Sequence, residues 1–271
     1  MDEYKKANRD LWNEVTPIHA QSEFYDVEGF KNGRSSMLYP IELEEMGDVT
    51  GKSLLHLQCH FGIDTLSWAR LGAKVTGVDF SDKAIELARS LSKELEIEAD
   101  FICSDIYKLT DVLAEKFDIV YTSAGVLCWL PDLKRWAEII SHFLKPGGFF
   151  YILEGHPFSC IFDDSPDITE PKVKYSYFHT TEPAKWEPEG DYADPDAVVT
   201  HGSYEWTHSM GDIINSIIAV GLRIEFLHEF PFIYFKCYPF MEQDDNGLWR
   251  IKGDKVPLIL TLKAIKPGQP G

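Results

Sequence analysis

Two stretches decide the fold of this chain: Leu54-Leu55-His56-Leu57-Gln58-Cys59-His60-Phe61-Gly62 and Val75-Thr76-Gly77-Val78-Asp79. The first predicts a buried strand over 53–58, then a tight loop, then a helix over 62–71. The second predicts another strand, 74–79, whose nearly continuous apolar residues are typical of strands covered on both faces. A strand, a helix and a second strand in this order predict a parallel βαβ unit.

Outward from this unit, strands and helices keep alternating, which predicts an α/β fold with a mostly parallel sheet. Ser81 is expected to cap the helix that follows Asp79, through its side-chain hydroxyl. The turn Lys145-Pro146-Gly147-Gly148 places Pro where φ is fixed and Gly where φ is positive. The further predicted helices are 2–15, 41–46, 82–95, 132–143 and 210–220, and the further predicted strands are 100–105, 117–122, 149–154, 222–230 and 256–266.

Composition excludes several classes of protein. The formal net charge of −18 over 271 residues argues against a nucleic-acid substrate, because such a surface repels phosphate backbones. No apolar run approaches the ~20 residues of a membrane span, and residues 1–6 lack the apolar segment of a secretory signal. The five cysteines form no C-x-x-C pair, so we expect reduced thiols, a cytoplasmic location and no metal site.

Asp79 indicates a nucleotide-containing ligand. It ends the second strand about twenty residues after the loop, where a carboxylate hydrogen-bonds the ribose hydroxyls in nucleotide-binding βαβ units. The loop itself is unusual, because it keeps only Gly62 where such loops carry two or three glycines. An NAD-dependent oxidoreductase should show G-x-G-x-x-G, and Gln58 and His60 stand in that stretch instead.

Four features together resemble the class I S-adenosylmethionine-dependent methyltransferases: the loop 54–62, Asp79, the pair Ser104-Asp105 and the turn 144–148. The resemblance is close over residues 50–154 and loose over 205–266. It implies a Rossmann-like, seven-stranded, mostly parallel sheet whose last strand is antiparallel, with an inserted cap. It also implies S-adenosyl-L-methionine as the cofactor.

Carried over residue by residue, the resemblance gives each motif a role. Gln58 and His60 stand for the first two glycines of the family's loop, and His56 stands for its strand acid. Asp79 should take the ribose hydroxyls, and Asp105 should accept a hydrogen bond from the adenine amine. The implied cofactor-binding residues are Leu57, Gln58, Cys59, His60, Gly62, Asp79, Phe80, Ser81, Ser104, Asp105, Ile106, Ser123 and Ala124.

The same resemblance, with what the chain lacks, favours a small-molecule methyl acceptor. The fourth strand ends Thr122-Ser123-Ala124-Gly125, without the motifs of enzymes that methylate DNA bases. If a general base is needed for O- or N-methylation, we prefer His156 to Glu154, because the usual pKa of histidine suits neutral pH. The predicted substrate residues are Tyr25, Trp129, Tyr204 and Trp206.

The expected organisation has four parts. Residues 1–50 form a helical lid, in which Trp12, His19 or Tyr25 could touch the cofactor, and residues 51–154 form the cofactor-binding core. Residues 155–205, rich in proline and aromatic residues, form an inserted cap, and residues 206–271 complete the sheet. A cofactor-binding protein without catalytic activity remains an alternative to a methyltransferase.

Overall fold

The computed structural model describes residues 3–33, 37–188 and 190–268. The helices are α1 (Glu3–Gln21), α2 (Val27–Lys31), α3 (Pro40–Met46), α4 (Ile63–Arg70), α5 (Asp82–Glu94), α6 (Leu133–Phe143) and α7 (Met210–Ala219). The strands are β1 (Ser53–Leu57), β2 (Lys74–Asp79), β3 (Ala99–Cys103), β4 (Phe117–Thr122), β5 (Leu144–Gly155), β6 (Ala184–Trp186), β7 (Ser203–Glu205), β8 (Arg223–Phe230), β9 (Glu242–Gln243), β10 (Trp249–Arg250) and β11 (Ile259–Ile265).

Seven strands form one sheet in the order β3-β2-β1-β4-β5-β11-β8. Strand β11 runs antiparallel to both of its neighbours, β5 and β8, and the remaining pairs are parallel. The predicted fold class is therefore confirmed, including the antiparallel last strand. Because β1 to β5 are parallel, their carboxyl ends meet at one edge of the sheet, where open α/β sheets bind their ligands.

The central strands are buried along almost their whole length, as their apolar sequences predicted. Leu55 of β1 lies between Thr76 of β2 and Val120 of β4, with helices covering both faces of the sheet. The Ser81 hydroxyl caps α5 by accepting a hydrogen bond from the Ala84 amide at 3.0 Å. Strand and cap together fix the turn that carries Asp79.

Two boundaries differ from the prediction by five or more residues. Helix α1 runs to Gln21 rather than ending near residue 15, and Pro17 lies inside it. The extension keeps its buried face, which continues through Thr16 to the fully buried His19. Strand β5 begins at Leu144 rather than at 149, because Gly147, with φ of 82°, donates to the Lys266 carbonyl at 2.8 Å and so pairs the turn with the end of β11.

Two segments rich in aromatic residues lie outside the seven-stranded sheet, residues 156–205 and 231–255, and they pack on each other. Strands β6 and β7 form a short antiparallel ladder, and β9 and β10 form another. Buried residues from both segments share one small apolar core, whose members are Ile161, Phe162, Ile233, Met241, Ile251, Leu258 and Ile259. Most of the aromatic rings in these segments surround this core instead of facing the edge of the sheet.

Candidate active site

A cavity of about 400 Å³ lies at the carboxyl ends of β1 to β4. Residues from the strand tips form its floor, and residues from α1, α3 and the two aromatic segments close it. Eleven of the predicted cofactor-binding residues line it: Gln58, Cys59, His60, Gly62, Asp79, Phe80, Ser104, Asp105, Ile106, Ser123 and Ala124. The sequence motifs thus converge on one enclosed space.

The loop after β1 keeps a glycine-type backbone with only one glycine. Gln58 and His60 have φ of 59° and 50°, in the left-handed region that costs a non-glycine residue roughly 1–2 kcal/mol. Gly62 has φ of 79°, and a Cβ built on it would lie 2.7 Å from the Phe101 ring of β3. The retained glycine is therefore the one at which helix and sheet pack most closely, while side chains occupy the other two positions.

Asp79 joins the two loops that form the floor of the cavity. Its carboxylate accepts hydrogen bonds from the His60 amide at 2.9 Å and from the Ser81 amide at 2.8 Å. Burial raises its pKa to about 6 in spite of these bonds. A carboxylate has about four lone-pair positions, so two remain for the hydroxyls of a ligand.

Asp105 is paired with a lysine that the sequence did not suggest. Lys5 of α1 lies 2.8 Å from the Asp105 carboxylate, and the Tyr107 amide donates to the other carboxylate oxygen at 3.0 Å. Lys5 also lies 4.5 Å from the centre of the Tyr107 ring. The first turn of the N-terminal helix therefore closes this end of the cavity and neutralises its carboxylate.

The tip of β4 carries a hydrogen-bonded chain of polar side chains. The Ser123 hydroxyl donates to Asp64 at 3.0 Å and lies 3.3 Å from His56 Nε2, and His56 Nδ1 lies 2.8 Å from the Thr65 hydroxyl. Burial lowers the pKa of His56 to about 3, so this histidine is a neutral residue of the core. Burial raises the pKa of Asp64 to about 6.

Glu42 of α3 adds a second carboxyl group near Asp64. Its oxygens accept hydrogen bonds from the Tyr121 hydroxyl at 2.5 Å and from the Tyr39 amide at 2.9 Å. Burial, and then the charge of Asp64, raise the pKa of Glu42 to about 8. Since the sequence offered no motif around either residue, both were missed; only the position of Asp64 in the first turn of α4 gave any signal.

A chain of three side chains connects the cap to the loop. Asp191 lies 3.0 Å from His19 Nε2, and His19 Nδ1 lies 2.8 Å from His60 Nε2. His60 Nδ1 is buried and has no hydrogen-bond partner among the described residues. Burial first, and His19 second, lower the pKa of His60.

Two of the four predicted substrate residues reach the cavity. Tyr25 and Trp129 line it, together with Tyr192 of the cap, whose hydroxyl contacts that of Tyr25, and Phe235. Tyr204 and Trp206 lie elsewhere, because they pack on Tyr4 at ring distances of 4.8 and 6.1 Å and fix α1 to β7. Trp12 lines the cavity, and its ring lies 5.0 Å from that of His60.

The remaining predicted residues have other tasks. Leu57 belongs to the main core, and Ser81 is engaged as the cap of α5. His156 lies outside the cavity wall and has no free nitrogen, because Nε2 contacts Glu229 at 2.8 Å and Nδ1 accepts from the Phe158 amide at 3.0 Å. We therefore withdraw His156 as a candidate base.

Glu154, the other candidate base, is a structural residue. It accepts hydrogen bonds from the amides of residues 125, 126, 127 and 155, at distances from 2.6 to 3.1 Å. These bonds hold the loop after β4 in place beneath Ser123. Among the described residues, no group of three or more His, Cys, Asp or Glu side chains is arranged to hold a metal ion.

The comparisons with known proteins agree with this geometry. Residues 55–152 match the model of a family described as a methyltransferase domain. The ubiquinone biosynthesis O-methyltransferase of Coxiella burnetii is 32% identical over 115 residues, which are 41% of this chain and 48% of that protein. The chain thus spans about half the length of the curated relatives it matches.

Two solved structures have the same fold. A putative S-adenosylmethionine-dependent methyltransferase from Listeria monocytogenes aligns with a TM-score of 0.59 and 20% identity, over 83% of this chain and 95% of the other. Such an enzyme from Clostridium acetobutylicum aligns with a TM-score of 0.58 and 17% identity, over 95% and 99%. Residues 55–152 thus match a methyltransferase domain, and the chain has the fold of these S-adenosylmethionine-dependent methyltransferases.

Proposed function

We propose that the protein is an S-adenosylmethionine-dependent methyltransferase that acts on a small molecule. The observation that carries the proposal is the convergence of Asp79, Asp105 and the loop 58–62 on one enclosed cavity of about 400 Å³ within a methyltransferase domain. In the parts of the chain described, no helix has the length and apolarity needed to cross a membrane. The size of the cavity supports a small acceptor bound beside the cofactor.

The residues present fit the proposed cofactor. Asp79 has lone pairs available for the two ribose hydroxyls, and Phe80 and Ile106 lie on the same wall for the adenine ring. At the other end, the Gln58 side-chain oxygen is buried without a partner. The amide nitrogen of the same side chain donates to the Val126 carbonyl at 3.1 Å. An ammonium group, as in the methionine part of the cofactor, would satisfy such an acceptor.

Methyl transfer would require the protein mainly to align the acceptor with the methyl group of the cofactor. The bound cofactor supplies a methyl group that its sulfonium already activates. The protein would hold the acceptor in line with that group and exclude water, which is a proximity effect. Trp12, Tyr25, Trp129, Tyr192 and Phe235 surround the cavity with aromatic surface suited to this task.

The acceptor and the bond formed are further parts of the proposal. The Coxiella relative is named as an enzyme of ubiquinone biosynthesis that methylates oxygen, which supports a small-molecule acceptor for this chain. The alignment covers 41% of this chain and 48% of that protein, so more than half of each lies outside it. Both O- and N-methylation are compatible with the domain itself.

Calorimetric titration tests the proposal directly. The purified chain should bind S-adenosylmethionine and S-adenosylhomocysteine and should not bind NADH. Binding of NADH alone would overturn the proposal in favour of an oxidoreductase. Binding of S-adenosylmethionine without release of S-adenosylhomocysteine, across a panel of amines, phenols and alcohols, would identify a binding protein without catalytic activity.

A further inference from the structure

The described part of the cavity wall carries more acidic than basic side chains. Along the described part of its wall there is one lysine or arginine, Lys5, and this residue is paired with Asp105. Asp79 accepts two backbone hydrogen bonds. The two remaining carboxyl groups, Glu42 and Asp64, have no lysine or arginine partner in the wall.

Glu42 and Asp64 lie together at the β4 end of the cavity. Asp64 is tied to the tip of β4 through Ser123, and Glu42 is tied to the same strand through Tyr121. The charge of Asp64 contributes to raising the pKa of Glu42 and of Tyr39, which indicates that these groups lie close to Asp64. The values of about 6 for Asp64 and about 8 for Glu42 leave one negative charge and one proton on the pair at neutral pH.

The other features of this end also suit a cation. Tyr25, Tyr39 and Phe235 line the same cavity, and the charge of Asp64 contributes to raising the pKa of Tyr25 and of Tyr39. Ring faces attract ammonium groups through cation–π interaction, and this attraction grows when the site excludes water.

We propose that the methyl acceptor is an amine, and that Asp64 binds it as an ammonium ion and receives its proton. This inference rests on the proposed methyltransferase function and names the acceptor class of the same site. The ammonium nitrogen gives one proton to the Asp64 carboxylate, which frees a lone pair. That lone pair forms the new N–CH₃ bond while the C–S bond of the cofactor breaks and its electron pair stays on sulfur. The product leaves as an N-methylammonium ion.

Another cation could account for the carboxylate, namely the sulfonium of the cofactor. The two explanations predict that Asp64 distinguishes between different pairs of ligands. A counter-charge for the sulfonium would distinguish S-adenosylmethionine from S-adenosylhomocysteine, which lacks that charge. A carboxylate for the acceptor would distinguish an amine from a neutral isostere, even with S-adenosylhomocysteine bound.

The experiment uses the full chain saturated with S-adenosylhomocysteine. Three matched sets of probes are titrated by calorimetry at pH 7.5: the amine, the alcohol and the carboxylate built on a benzyl, a phenethyl and a cyclohexylmethyl group. We expect the amine to bind at least ten times more tightly than its alcohol in at least one set, and the carboxylate to bind least. Asp64→Asn should remove this preference, and Glu44→Gln, on the exposed face of α3, should keep it.

The outcomes separate this inference from the proposed function. If no amine is preferred over its alcohol, or if Asp64→Asn keeps the preference and instead weakens S-adenosylmethionine relative to S-adenosylhomocysteine, the amine proposal is overturned while the methyltransferase proposal stands. Failure of the unmodified chain to bind either cofactor form overturns the proposed function itself. Asp64→Ser gives a second variant should Asp64→Asn not fold, and it should likewise remove the preference.

Discussion

The two ends of the cavity are built in different ways. At the end formed by β2 and β3, Asp79 and Asp105 are satisfied by backbone amides and by Lys5. At the end formed by α3, α4 and β4, Glu42 is buried and Asp64 is partly buried, both accept hydrogen bonds from hydroxyl groups, and neither has a lysine or arginine partner in the described part of the wall. The carboxylates of the first end therefore have partners within the protein, whereas the negative charge of the second end would be balanced by a cationic methyl acceptor.

The largest expected effect concerns the first end. Asp79→Ala should weaken binding of S-adenosylmethionine by about 1.5–3 kcal/mol, the range for hydrogen bonds to a charged group. Asp100→Ala, an exposed carboxylate on β3, is the control and should change nothing. Calorimetry measures both, with melting temperatures recorded because Asp79 also accepts two backbone bonds; unchanged affinity in folded Asp79→Ala would remove the ribose assignment.

A pair of histidine variants tests whether His56 belongs to the core and His60 to the cavity. His56→Ala should lower the free energy of unfolding by roughly 1–3 kcal/mol, because it leaves the Thr65 hydroxyl unpaired in the core. His60→Ala should instead weaken cofactor binding with a smaller effect on stability, because His60 lines the cavity. Denaturant unfolding and cofactor titration of both variants decide the matter, and exchanged effects would show that the two side chains are misassigned.

The second end should be stabilised when its charge is removed. Because burial raises the pKa of Asp64 to about 6, from a value near 4 in the unfolded chain, the folded state binds the proton more tightly. The stability that this group contributes is present below pH 4 and is lost as the pH rises through 6. Asp64→Asn should therefore match the parent near pH 4 and exceed it by about 1–2 kcal/mol above pH 7.

Denaturant unfolding between pH 4 and 8 measures this difference. Glu42, Tyr25 and Tyr39 face Asp64 and must be kept unchanged, since Glu42 titrates close to the same range. Asp100→Asn, an exposed carboxylate, should show no pH-dependent gain. A gain for Asp64→Asn that is independent of pH would mean that Asp64 carries no buried charge.

The smallest effect is expected at the cap. Tyr192→Phe removes a hydroxyl that contacts Tyr25 and lies 3.5 Å from His19 Nδ1, at a cost of about 0.5–1.5 kcal/mol. Its effect should fall on acceptor binding and leave the cofactor dissociation constant unchanged, which titration with each ligand can show. An equal loss for both ligands would mean that the cap closes the whole cavity rather than its acceptor end.

The parts that the sequence predicted well are those that lie close together along the chain. The strand 74–79 and its terminal Asp79 were predicted because apolar periodicity and a carboxylate twenty residues after a loop are local patterns. Helix α1 was predicted too short because its apolar residues at helical spacing end at Val15, whereas the buried face continues to His19, which packs on Tyr192 of the cap. His156 was misjudged because its contact with Glu229, 73 residues away in sequence, depends on the order β5-β11-β8 in the sheet.

The sequence by itself determined the α/β order of strands and helices, the antiparallel last strand through its family resemblance, and the strand-tip residues of the cavity floor. Only the tertiary structure decided what closes the cavity. Lys5, Glu42 and Asp191 come from segments without a motif, and each reaches the cavity or its histidine chain across 79 to 172 residues of sequence. Local patterns record burial and turn geometry, whereas the pairing of distant charges depends on how the lid and cap pack on the sheet.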